Sequence, residues 1–175
     1  VCIDSMHTAD LGIFPDALGS LFDLEISCRA FYGSRAAGLQ RLNYDLTQFY
    51  RAHPGLSQVT PLCMQQIKAP NLGYPFLKCK AAQARHLAEF GLTLARRQRY
   101  GGGGRPPFAF PRRRRMAART DEHLNLNIEL FEGMTTYCRS LAAPQFDPQE
   151  CKRGMLKILT AFGALHRLWR DGVQE

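Results

Sequence analysis

The sequence lacks any apolar run approaching the ~20 residues that a membrane span requires, and no apolar segment follows basic residues at its N-terminus as in a secretory leader. A soluble, intracellular protein is therefore expected. No C-x-x-C pair is present: the six cysteines stand at positions 2, 28, 63, 79, 138 and 151. Without a disulfide-type framework, reduced and buried thiols are expected. Cys79 with His86, or Cys2 with His7, would offer zinc two ligands but no second pair at zinc-finger spacing, so no metal is assigned to this chain. The four glycines Gly101 to Gly104 are not followed by Gly-Lys-Ser/Thr, which excludes a phosphate-cradling loop. Nucleophile–base spacing of the hydrolase kind is also missing. An initiator methionine is absent, and the chain begins inside the apolar run Val1-Cys2-Ile3. A fragment with further sequence upstream is the expectation.

One stretch is empty of acid. Between Arg96 and Arg119 stand nine arginines, Arg96, Arg97, Arg99, Arg105, Arg112, Arg113, Arg114, Arg115 and Arg119, and no Asp or Glu. The 175-residue chain has a net charge of +8, so these nine charges account for its whole surplus. Elsewhere, 45% hydrophobic and 22% charged residues are ordinary values for a folded domain.

Taken in order, the apolar run 1–3 reads as a residual strand ending at Asp4, and Thr8 or Asp10 can cap a helix over roughly 10–27. Its stripe is Ile13, Phe14, Leu18, Leu21, Phe22 and Ile26, with Pro15 tolerated in the first turn. Residues 34–52 place Leu39, Leu42, Leu46, Phe49 and Tyr50 on one face, and His53-Pro54-Gly55 ends that helix. Residues 56–74 form a connector in which Thr60-Pro61 can start a short helix through Ile67. From Pro75 a helix is expected to run unbroken into the arginines, where cations suit the C-terminal dipole. Beyond the loop, Leu124, Ile128, Phe131, Met134, Cys138 and Leu141 recur at intervals of three and four. Asp147-Pro148-Gln149-Glu150 is a further start signal, followed by a stripe of Cys151, Met155, Ile158, Phe162, Leu165 and Trp169 as far as Gly172. These last two helices are expected to pack antiparallel.

The expected fold is thus mainly α: an antiparallel helical bundle with a residual N-terminal strand and a disordered Arg/Gly/Pro-rich loop. Its parts are a first helical block over 1–95, the basic loop over 96–119 and a helical hairpin over 120–175, together one domain or a fragment of one. Arginines along such a loop neutralise phosphates and release counterions, giving affinity without sequence preference. Tyr100, Phe108 and Phe110 add faces on which unpaired bases can stack. The alternative is a solvated linker in which Arg112 to Arg115 serve as a nuclear-localisation signal. His53, His86, His123 and His166 are isolated and read as satisfied structural histidines.

The block D-S-M-H-T-A-D-L-G-I, from Asp4 to Ile13, resembles the D-x-x-H signature of eukaryotic cut-and-paste transposases, in the D-x-M-H form of the CACTA (En/Spm-like) group. The resemblance implies an RNase H-like parent whose acidic triad binds two divalent ions, Mg for instance, and a mainly helical insertion domain following the signature. Such ions activate the attacking oxygen and stabilise the leaving one. By that resemblance Asp4 and His7 are the catalytic-region residues of this chain, His7 as a DNA contact. The triad's first two carboxylates would lie upstream of Val1, and its closing glutamate beyond the insertion. Glu122, Glu129 and Glu132 read as a solvated helix face. A plainer reading of the same pair is that Asp4 enters the helix and His7 is its hydrogen-bond partner.

The expected function is that of a transposase-derived fragment that binds DNA through its backbone, in the nucleus, inactive in cleavage by itself. Homo-oligomerisation is compatible with this and a membrane partner is not expected. The rival expectation is a non-catalytic helical interaction module with a localisation-type basic loop.

Overall fold

A computed structural model describes residues 6–29, 33–59, 61–68, 75–100 and 121–173. The chain is mainly α-helical, with one minimal strand pair among the described residues, and divides into two compact units at Gly91/Leu92. The expected strand at 1–3 and the loop at 101–119 lie outside the described residues.

In the first unit the helical path begins earlier than the capping pattern implied. Met6–Ile13 is a π-helical stretch that passes directly into helix α1, Phe14–Arg29. The change of ladder falls just before Pro15, which has no N–H to offer either. Asp10 is therefore inside a helix and not its cap. Phe14, Leu18, Leu21, Phe22 and Ile26 are buried along α1 as the stripe required.

Helix α2, Arg35–Ala52, is capped by Ser34, whose Oγ accepts from the Ala37 N–H at 3.2 Å. It buries Gly38, Leu42, Leu46 and Tyr50. Glycine at 38 is a packing requirement: a Cβ there would stand 2.6 Å from the Ile26 carbonyl oxygen, so α1 and α2 meet nearly backbone to backbone. Gly55 closes the following turn at φ +93, the left-handed region that favours glycine.

The connector does not form the short helix expected through Ile67. It forms a turn and then strand β1, Ile67–Lys68, paired antiparallel with β2, Phe76–Leu77. Side chains hold this segment by its backbone. Asn43 accepts from the Leu62 N–H at 2.8 Å and donates to its carbonyl at 2.9 Å. Tyr50 Oη accepts from the Val59 N–H at 2.9 Å, and His86 Nδ1 from the Ser57 N–H at 2.8 Å. Pairing to side chains across the fold has won over local helix propensity.

The helix expected unbroken from Pro75 is also revised. Phe76 and Leu77 are in β2, and helix α3 runs only over Ala81–His86 before a turn at Leu87 and helix α4, Ala88–Tyr100. Gln83 starts α3 by accepting from the Lys80 N–H at 2.8 Å. At the break, the Leu87 N–H is shared between the Gln83 and Ala84 carbonyls, the tightened geometry common at helix ends. That turn lets Leu87, Ala88 and Phe90 all be buried. Phe90 meets Phe22 edge-on with ring centroids 5.9 Å apart.

The second unit contains the rest of α4 and the hairpin of α5, Asp121–Ala142, and α6, Pro148–Val173. The Asp147 carboxylate caps α6, accepting from the Gln149 N–H at 2.8 Å and the Glu150 N–H at 3.3 Å. Gly133 lies against Ile158 and Tyr137 against Gly154, which makes the hairpin antiparallel. The buried line on α6 is Gly154, Ile158 and Ala161, whereas Cys151, Met155, Phe162 and Leu165 are only half-buried. The contact is centred on small residues because Gly133 and Gly154 bring the two backbones together. α6 also continues through Gly172 to Val173.

Candidate nucleic-acid interface

The sequence singles out eleven residues, and the structure describes four of them in any respect. Asp4, Arg105, Arg112, Arg113, Arg114, Arg115 and Arg119 lie outside the described residues. His7 is the second residue of the π-helical stretch, a geometry frequent at functional sites. Arg96, Arg97 and Arg99 occupy the last turns of α4, where their charge suits the exposed carbonyls of the helix end.

Arg96 and Arg99 are engaged within their own unit. Arg96 donates to Glu132 Oε1 at 3.0 Å, and Arg99 Nε donates to Asn125 Oδ1 at 3.0 Å. The Arg99 guanidinium also stands 5.9 Å from the centroid of the Tyr100 ring. Tyr100 is 73% exposed, so the basic helix end presents an aromatic face to solvent. That combination can stack on a base beside a phosphate held by arginine.

Glu132 is no plain solvated glutamate. Lys157 donates to its Oε2 at 2.6 Å while Arg96 takes Oε1, so one carboxylate ties α4, α5 and α6. The hydrogen bond from Lys157, with that from Arg96, outweighs partial burial and holds the Glu132 carboxyl below the ordinary glutamate range. A carboxylate lowered in the folded state contributes stability that is present above its unfolded value and lost as pH falls through the folded one. Glu132→Gln is therefore expected to lower Tm near neutral pH, with the gap from wild type closing as the solution is acidified. Thermal melts across the acid range measure that gap, and a pH-independent gap would mean packing alone.

Sequence reasoning missed a buried ion pair of the first unit. Arg85 of α3 donates to Asp10 Oδ2, and the Asp10 side chain is fully buried. Its other oxygen, Oδ1, is buried and accepts no hydrogen bond. The pair fastens the π-helical stretch to α3 across 75 residues of chain. No periodicity connects Asp10 to Arg85, so nothing local could have announced it.

The described cysteines Cys63, Cys79, Cys138 and Cys151 are free thiols, and burial pushes Cys79 up to about 11. Among the described residues no group of three His, Cys, Asp or Glu side chains is placed to hold a metal ion. The donor set of a divalent site is therefore not supplied by these residues, and no metal-dependent step is assigned to them. Among the described residues no helix is long and apolar enough to cross a membrane.

The fold and these residues define a mainly helical chain whose fourth helix ends in a basic, aromatic tip. Comparison with protein-family models, curated proteins and solved structures finds no match for it.

Proposed function

We propose that this chain is part of a transposase-derived protein and binds the nucleic-acid backbone through residues 96–119. The observation that carries the reading is the end of α4, where three arginines and the exposed Tyr100 lead directly into the six remaining arginines of the stretch. Since Arg96 and Arg99 are already bonded to Glu132 and Asn125, phosphate contacts fall mainly to Arg105, Arg112 to Arg115 and Arg119. The D-S-M-H block opening on a helical segment from Met6 is in keeping with the transposase resemblance. Under this reading DNA cleavage and strand transfer need carboxylates outside this chain.

Titration of duplex DNA at several salt concentrations tests it. Replacing Arg112 to Arg115 by glutamine is expected to weaken binding to all sequences alike and to flatten the slope of log K against log salt by up to ~4 contacts' worth. An unchanged slope removes those arginines from the interface. A non-catalytic helical interaction module is the second reading, favoured by the engagement of Arg96 and Arg99 inside their own unit. It requires that duplex DNA not bind even at low salt.

A further inference from the structure

We infer that the outer face of α6 is a docking surface for an acidic amphipathic helix of another protein. α6 packs on α5 along Gly154, Ile158 and Ala161, and its opposite side carries Lys152, Leu156, Leu159, Gly163 and Arg167 at helical spacing. Leu156 is 54% and Leu159 45% exposed, so two consecutive turns hold leucine in water. At Gly163 the space is open apart from the Arg167 guanidinium 3.8 Å from where a Cβ would stand, which permits a second helix to approach closely.

Charge identifies the occupant. α6 has no acidic residue between Glu150 and Asp171. Of its cations, Lys157 is bound to Glu132 and Arg153 to Glu150, while Lys152 and Arg167, at the two ends of the leucine stripe, are exposed. A second copy of α6 laid on this face would set Lys152 against Arg167 if antiparallel, and like against like if parallel. Lipid is a poor fit, because a helix lying on a bilayer sinks a broad apolar face, whereas the outward side of α6 offers a narrow stripe of Leu156 and Leu159 between Lys152 and Arg167. Leucines central to the stripe also offer nothing to a phosphate backbone. An apolar ridge flanked by Asp or Glu satisfies both the leucines and the charges. None of the residues 96–119 takes part, so this surface stands or falls independently of DNA binding.

The test uses the full chain and a synthetic helical peptide with leucines in heptad register flanked by glutamates, followed by fluorescence anisotropy. The glutamate peptide is expected to bind and its lysine counterpart to fail. Leu156→Asp with Leu159→Asp should weaken binding roughly tenfold or more, with an unchanged far-UV circular dichroism spectrum because both side chains face outward. Lys152→Glu with Arg167→Glu should shift preference toward the lysine peptide. The inference is overturned if the glutamate peptide does not bind, or binds both leucine variants as well as wild type. Sedimentation with phosphatidylserine vesicles, or a doubled mass by light scattering, that the leucine variants abolish would equally overturn it in favour of lipid or of a second copy.

Discussion

Arg85→Met is expected to destabilise the first unit by about 3 kcal/mol or more, the cost of leaving a buried charge without its partner. The geometry makes the effect one-sided. Asp10 is fully buried, with Oδ1 already accepting nothing, whereas the Arg85 side chain is 38% exposed. Removing the guanidinium leaves the carboxylate with neither water nor cation, while removing the carboxylate leaves an arginine that solvent still reaches. Asp10→Leu should therefore cost less than Arg85→Met, and the double variant should recover much of the loss, since apolar pairs of similar volume often replace buried ion pairs at little cost. Urea unfolding of the three variants forms the cycle. A double variant as unstable as the sum of the singles would show that the two residues are not coupled.

Two glycines of α6 are expected to respond to the same substitution with opposite signs. Alanine in a helix interior is favoured over glycine by ~1 kcal/mol. At Gly163, where only the end of a flexible arginine is near, that gain should be realised and Gly163→Ala should raise the unfolding midpoint. At Gly154 a Cβ would stand 2.7 Å from the Tyr137 nitrogen and 3.0 Å from the Gly133 oxygen, both backbone atoms that cannot turn aside. Overpacking of this kind costs roughly 1–3 kcal/mol, so the clash outweighs the propensity and Gly154→Ala should lower the midpoint. Thermal or denaturant melts of the pair decide it, and equal shifts of one sign would mean that α5 and α6 are not held backbone to backbone.

Much of the helical framework was legible because its signals are local. The Asp147 cap and the α1 stripe from Phe14 to Ile26 stand as read. The errors arose where distant partners intervene. Phe76 and Leu77 carry a helical pattern, yet they pair with Ile67 and Lys68. Asp10 has the chemistry of a cap, yet Arg85 draws it inside a π-helical turn. Of the candidate site, the sequence showed that Arg96, Arg97 and Arg99 end a helix. It did not show that Glu132 and Asn125 occupy two of them.

By itself, then, the sequence determined the helical class, most helix ends and the concentration of positive charge in residues 96–119, since propensity, capping and composition act over a few residues. Only the tertiary structure decided which polar groups are spent internally, where α5 and α6 touch, and which leucines of α6 stay in water. Those outcomes depend on contacts between residues far apart in the chain: Asp10 with Arg85, Asn43 with Leu62, Arg96 with Glu132, and Gly133 with Gly154. Burial makes each of them energetically decisive, and no local pattern encodes the partner.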